Sequence, residues 1–504
     1  MTMSGKDKEP EAILTEWRLK GNQAFAKGDL REAEECYTSG LNCVSPNEKS
    51  MACIEAMVLC YSNRAAARMH LGRMREALVD CMAALALEPE SHKVQLRAAN
   101  CYLELGEIEE ATKYFMKLKL QSSLGVHLDR KLVTEAFDGL QKAVQVSDYM
   151  DQTALLLQEK TSVDAERALE VISKGLSISH HSDKLIEMKA EALLKMQKYE
   201  DVIELCEQTL DSAQKNSIPV SAGGTKSSAI SPVRLWRWRL ISKSYFYLGK
   251  LEEALELLQK QEQAGLITEK CVTVSELLRH KTAGNEAFQS ERYSDAVRHY
   301  TCAISGNDVS RPFAAICICN RATTYKALGE IAEAIADCSL AMALDGDYPK
   351  AIYRRASLHE MIRNYRQAIN DLQRYLSLLQ KKYSEDKATE IEISEARLRL
   401  SRIKQEAMKD VPLDMYLILG VRKSATAMDI KNAYHRASLR HHPDKAGQLL
   451  GRSGIGDGGL WKEIAKEVHK DADILFKLIG NAYAVLQDPV LRSRFDREEE
   501  KRKA

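Results

Sequence analysis

The chain has 504 residues, 45% of them hydrophobic and 29% charged, with 73 basic residues against 72 acidic ones and a formal net charge of +1. That length calls for several domains or one extended repeat array, and the apolar content excludes a chain disordered throughout. The charge balance excludes a global field for nucleic acid or membrane, so any recognition by charge must be local.

Ten prolines and 6% aromatic residues, among abundant Ala, Leu, Glu and Lys, favour helix over sheet. The opening MTMSGKDKEPEAILTEW carries charges and no apolar core, unlike a secretory signal. No apolar run long enough for a membrane span occurs. All twelve cysteines lie before residue 339, singly apart from Cys317-Ile318-Cys319, and never in CxxC spacing. This argues against a metal site and for buried thiols in a reducing compartment, cytosol or nucleus.

Residues 1–14 read as an N-terminal tail. Three strong helical repeats are expected over 15–120, three degenerate ones over 121–275 and three strong ones over 276–380. The first and last sets are internally related. Residues 61–97 align without a gap on 318–354, with fourteen of the 37 positions identical. Each block reads as a helix, a Leu-Gly turn, a second helix and the start of a third. Small residues stand where helices must cross closely: Ala65, Ala77 and Ala84, matched by Ala322, Ala334 and Ala341. Gly21, Phe25, Ala33 and Tyr37 likewise have counterparts in Gly284, Phe288, Ala296 and Tyr300. A period near 34 residues with small residues at crossings resembles the tetratricopeptide repeat, and about nine repeats are expected.

Within the middle set, SIPVSAGGTKSSAISP (217–232) reads as a mobile loop. Trp236 and Trp238 sit on a repeat helix and are expected to pack. Residues 381–410 are charged and helical with sparse apolar positions, which suits a linking or capping helix.

From 411 to 498 the pattern changes. Tyr416, the Leu419-Gly420-Val421 turn, a Ser/Thr-led helix, the tripeptide His442-Pro443-Asp444, and then Asn481, Ala482, Tyr483, Leu486, Asp488-Pro489 and Arg494-Phe495-Asp496 follow in order. This ordered set resembles the J-domain family. Along 430–441 the apolar arc is Ile430, Ala433, Tyr434 and Ala437, and Lys431, His435, Arg436 and Arg440 fall on the opposite, solvated arc. Segment 411–504 carries 17 basic and 13 acidic residues. The resemblance implies that this basic face and His442, Pro443 and Asp444 engage a heat-shock 70 chaperone and stimulate its ATP hydrolysis. Two departures stand out. His441 occupies a position where the family usually has Tyr and is expected to pack. The loop insertion 446–473 is long, with glycines followed by a short helical turn at 461–470. Residues 499–504 read as a charged tail.

Some tetratricopeptide proteins grip the acidic C-terminal tail of heat-shock 70 or 90 with five side chains: a Lys four residues before an Asn, a second Asn, and a Lys and Arg four apart. Lys281, Asn285, Asn320, Lys350 and Arg354 match this pattern in full. Arg18, Asn22, Asn63, Lys93 and Arg97 match it with Arg at the first place. Residues four apart share a helix face, the cations can pair with carboxylates, and the amides donate without adding charge.

Taken whole, the sequence is similar to co-chaperones that join tetratricopeptide repeats to a C-terminal J domain, plant relatives included. The expected fold is all-α, a repeat solenoid followed by a J domain. The expected role is an adaptor for heat-shock 70 and 90 that serves client proteins, with no cofactor, metal, nucleic acid or membrane. No phosphate loop, nucleophile elbow or metal-ligand cluster suggests an enzyme. The competing reading is a scaffold whose J-like tail is inactive, and the intact His442-Pro443-Asp444 argues against it.

Overall fold

The computed structural model describes residues 10–44, 50–124, 129–159, 161–217, 231–263, 269–305, 310–382, 387–446 and 458–503. Most of the expected loop at 217–232, the first residues of the expected tail and residues 447–457 lie outside them. The fold is all-α. Helices α1 (Pro10–Lys27) and α2 (Leu30–Asn42), α3 (Met51–His70) and α4 (Met74–Leu87), and α5 (His92–Leu105) and α6 (Ile108–Ser123) are three helix–turn–helix units. A long α7 (Arg130–Gln158) precedes α8 (Ser162–Leu176), then come α9 (Asp183–Lys195) and α10 (Tyr199–Lys215), and α11 (Pro232–Tyr247) and α12 (Leu251–Gln263). The last units are α13 (Glu269–Gln289) and α14 (Tyr293–Ile304), α15 (Arg311–Leu328) and α16 (Ile331–Leu344), and α17 (Pro349–Met361) and α18 (Tyr365–Lys382). After them come α19 (Lys387–Ala407), α20 (Met415–Leu419), α21 (Ala427–Arg440), α22 (Pro443–Ala446), α23 (Gly458–Gln487) and α24 (Pro489–Lys503).

Three local rules make the repeats. At each crossing a small residue admits a large one: a methyl group at Gly21 would sit 2.5 Å from the Tyr37 ring, and one at Gly284 would sit 2.7 Å from the Tyr300 ring. In eight helix pairs the turn reverses through one residue with positive φ. Gly serves at 28, 72, 106, 249 and 329, while Gln197, Glu291 and Arg363 take that conformation with a side chain. The third rule is a brace absent from the sequence reading. Arg64 pairs with Asp80 at 2.7 Å, Arg321 with Asp337 at 2.8 Å and Arg355 with Asp371 at 2.7 Å, each from the first helix of a unit to its second. The carboxylates are buried, so each ion pair must be geometrically sound to offset its desolvation.

The chain divides into two compact units, one of residues 1–244 with 263–265, the other of 245–262 with 266–504. In the first, α5 to α9 close a core around Phe115, Ile172 and Leu185. Trp236 donates to Asp183 at 2.9 Å, and the fully buried Arg237 pairs with the same carboxylate at 2.8 Å. Trp236 packs, as expected, but as the lid on a buried cation, its ring lying 4.1 Å from the guanidinium carbon.

In the second unit the J region is no separate appendage. Ile331, Ala332 and Ile335 of α16, with Leu358 and Ile362, share one apolar core with Ile418, Leu419, Leu475 and Ile479. Polar contacts lock the same seam. The Asp414 amide donates to the Ile362 carbonyl at 3.1 Å. Arg363 reaches both oxygens of Glu499 at 2.5 and 3.0 Å, and Arg355 also pairs with Asp471. Arg363 is one of the four non-glycine residues with positive φ among the described residues, a conformation costing about 1–2 kcal/mol, and its side chain is what spans the seam.

Two expectations are corrected. The short turn at 461–470 is part of one helix, α23, running from Gly458 to Gln487. Its Ile464 and Val468 are buried against the repeat core, so the second half of the expected loop insertion is structural. Residues 499–503 continue α24 rather than forming a loose tail, and Glu499 is buried. In the segment 381–410, Ala396 and Ile403 of α19 are buried, and Arg399 pairs with Glu360 at 2.6 Å.

Candidate functional site

Helix α21 starts with a capping box, Thr426 and Asp429 each accepting from the other's backbone N–H. Its apolar arc, Ile430, Ala433 and Ala437, is buried against α23, and Tyr434 stacks on Tyr483 with ring centroids 3.9 Å apart. That fixes the other arc outward. Lys431, His435 and Arg436 are exposed and make no ion pair among the described residues. Arg440 differs from the expectation: it pairs with Glu333 of α16 at 3.0 Å, close to Glu330 at 3.9 Å. The next residue, His441, is buried with its Nε2 3.7 Å from the same Glu333 carboxylate. It packs, as its place on the arc implied, but against a repeat. Although burial pushes Glu333 up, the adjacent His441 ring, a backbone hydrogen bond and the Arg440 charge outweigh it and hold the carboxyl below its ordinary value.

His442 follows immediately. Its ring meets Phe476 edge-on at 5.5 Å, leaving the side chain 47% exposed. The Asp444 N–H donates to His442 Nδ1 at 3.3 Å, and the Asp444 carboxylate, 78% exposed, stands 3.6 Å from that nitrogen. His469 of α23 lies 3.2 Å from the Pro443 carbonyl. The tripeptide is thus presented to solvent and braced from behind by the insertion helix. No motif marks His469 in advance, because the glycines before it hide the helix.

The two sets of five side chains adopt one geometry. In the first, the Tyr37 hydroxyl and the Asn63 amide both donate to Asn22 Oδ1, at 2.8 and 2.9 Å. In the second, the Tyr300 hydroxyl donates to Asn285 Oδ1 at 2.7 Å, with the Asn320 amide at 3.4 Å. Each central Asn has its carbonyl oxygen occupied, which leaves its amide hydrogens as donors to a ligand. Burial above all pushes both tyrosines up to about 12, so they remain neutral donors at physiological pH. Arg97 reaches back to the Ser62 carbonyl at 2.5 Å, and Arg354 to the Cys319 carbonyl at 2.7 Å. Lys93 and Lys350 are exposed and unpaired among the described residues. The sequence did not reveal the supporting tyrosines as part of the site, though each stands fifteen residues after its Asn, a spacing legible in hindsight.

The sets differ at the first cation. Arg18 Nε is buried without a hydrogen-bond partner. Lys281 instead pairs with Glu252 of α12 at 2.9 Å and lies 5.9 Å from the Phe313 ring. Among the described residues no helix is long and apolar enough to cross a membrane, and no group of His, Cys, Asp or Glu could hold a metal.

A DnaJ-domain family profile matches residues 414–451, and a tetratricopeptide-repeat profile matches 68–122. The chain is 28% identical to human DnaJ homolog subfamily C member 7 over 492 residues, 97% of this chain and 87% of the relative. It is 26% identical to the Schizosaccharomyces pombe DnaJ homolog subfamily C member 7 homolog, over 97% of this chain and 83% of the relative. Among solved structures, the crystal structure of the P58(IPK) TPR domain matches with a TM-score of 0.57 at 19% identity, covering 79% of this chain and 99% of that one. That likeness shows the repeat fold.

Proposed function

The chain is a tetratricopeptide-repeat J-domain protein of the DnaJ homolog subfamily C member 7 type, a co-chaperone family rather than a catalytic one, and from that premise we propose that it stimulates ATP hydrolysis by a heat-shock 70 chaperone and holds the acidic tails of heat-shock 70 and 90 in its repeats. The observation that carries the first part is the exposed His442-Pro443-Asp444 loop at the end of a helix whose Lys431, His435 and Arg436 face solvent. An acidic partner surface meets that arc by charge. His442 and Asp444 then reach the partner from a loop that His469 and Phe476 keep in place. The hydrolysed ATP belongs to the partner, so this chain needs no cofactor of its own.

The second part is supported by two groups that each hold three cations and an amide donor with its oxygen already occupied. A chain-terminal carboxylate and a side-chain carboxylate fit such a set, and each charge-assisted bond contributes about 1.5–3 kcal/mol. This supports roughly micromolar binding of a short tail after the entropic cost. Cytosol or nucleus remains the proposed compartment, and client proteins the cargo.

Steady-state ATP hydrolysis by heat-shock 70 tests the first part. His442→Gln is expected to abolish stimulation while helicity and tail binding persist; stimulation at the wild-type level refutes it. For the second part, Lys350→Ala together with Lys93→Ala is expected to weaken a free-carboxylate tail peptide by about 1.5–3 kcal/mol at each site. Equal affinity for the free and amidated peptides refutes it.

A further inference from the structure

The two clamps share four of their five side-chain types, yet the structure leaves the first cation of one unpaired and that of the other neutralised. Arg18 Nε is buried with no hydrogen-bond partner, and no carboxylate among the described residues pairs with its guanidinium. Lys281 Nζ lies 2.9 Å from Glu252 Oε1, and its side chain is only 24% exposed, confined on one side by Phe313. Glu252 belongs to the first turn of α12, in the repeat before the clamp, where a carboxylate is also favoured by the helix N-terminus. Burial raises the Glu252 carboxyl, but the hydrogen bond from Lys281, a backbone hydrogen bond and the Lys281 charge outweigh it and lower it overall. Glu252 is therefore ionised wherever a tail carboxylate is.

We propose that Glu252 is an internal stand-in for the tail carboxylate, which a ligand must displace from Lys281 before the second clamp can close, so that the first clamp takes an acidic tail more tightly than the second. The proposal rests on the clamp reading and deepens it by assigning rank to the two sites. One ammonium can serve an internal and an external carboxylate only by sharing donors, and Glu252 also repels an incoming anion. Its side chain is 61% exposed, so solvent screens the pair and the handicap is modest, a change of about two- to fivefold in affinity. A tail presented at high local concentration overcomes it, and the J domain in the same compact unit supplies that concentration once it has engaged the partner.

Calorimetry on the full chain tests this with an acetylated acidic pentapeptide bearing a free terminal carboxylate. In a background carrying Lys93→Ala and Arg97→Ala, which silence the first clamp, Glu252→Gln is expected to tighten peptide binding two- to fivefold. Glu256→Gln, on the same helix and paired with Lys260, removes the same charge at a position away from the clamp and is expected to change nothing. Unchanged or weaker binding in Glu252→Gln, while Lys350→Ala still weakens it, overturns the proposal and leaves the clamp standing. An equal gain from Glu256→Gln also overturns it, since net charge alone would then explain the effect. Binding indifferent to Lys350→Ala overturns the clamp reading itself, and the proposal with it.

Discussion

Lowering the pH from 7 to 5 is expected to loosen the J domain from the repeats, through His359. This side chain is 5% exposed on α17, its Nδ1 has no hydrogen-bond partner, and it lines a small cavity with Arg355, Asp471 and Leu475 at the seam between α17 and α23. Burial, and then the charge of Arg355, pull its titration down to about 3. The folded chain therefore keeps His359 neutral, whereas an unfolded chain protonates it near 6.5. Stability at this site is full above about pH 6.5 and falls as pH drops toward 3, because the unfolded state then binds the extra proton. At pH 5 the loss is about 2 kcal/mol, or about thirtyfold in the opening equilibrium. Asp337 and Asp371, both pushed up by burial, work in the opposite sense at lower pH, so a variant must isolate the histidine. Hydrogen exchange on the intact chain, corrected for intrinsic rates, should show α17 and the middle of α23 losing protection at pH 5. His359→Leu should remove most of that sensitivity. Equal acid sensitivity in the variant would refute the reasoning.

Two further outcomes follow from the repeat braces and crossings. Asp337→Ala leaves the Arg321 guanidinium, 14% exposed, without its bidentate partner, and is expected to destabilise the second unit by about 3–5 kcal/mol. Chemical denaturation followed by circular dichroism reads it; a loss below about 1 kcal/mol would mean that Arg321 finds other support. Gly284→Ala forces Tyr300 away and should cost about 1–3 kcal/mol. It should also weaken tail binding at the second clamp alone, since Tyr300 holds Asn285 in its donor orientation. Retained peptide affinity in a folded variant would show that Asn285 orients itself.

Much of this was legible in the sequence, for identifiable reasons. The repeats declare themselves because each close crossing needs a residue such as Gly21, Ala65 or Ala322, and the need recurs at a fixed period. The J region declares itself because Tyr416, Leu419-Gly420-Val421 and Asp488-Pro489 each perform a local task that few other residues can. The docking seam was hidden because its residues also satisfy the repeat pattern. Ile331, Ala332 and Ile335 read as ordinary core positions of a second helix. The available signal was a contrast: α16, IAEAIADCSLAMAL, is apolar nearly all round, whereas its counterpart α4, MREALVDCMAALAL, places Arg75 where α16 has Ala332. A helix apolar on every face needs cover on every face. Similarly, Ile464, Val468, Asp471 and Leu475 recur at helical spacing on α23, but the preceding glycines drew attention to a loop. The pairings of Lys281 with Glu252 and Arg440 with Glu333 were beyond reach, since surface charge leaves no periodic trace.

The covering of α16 also bears on how the chain is made. Translation delivers α15 to α18 well before Leu475 and Ile479, with roughly 130 residues between α16 and the α23 segment that covers it. At about 5–20 residues per second the gap lasts on the order of ten seconds. Throughout that interval Ile331, Ala332 and Ile335 face water, and the second clamp stands on repeats whose outer wall is unfinished. Such transiently bare apolar surface is what draws nascent chains into aggregates. A messenger cut short before the last helices would make that state permanent, so the clamp depends on residues translated long after its own.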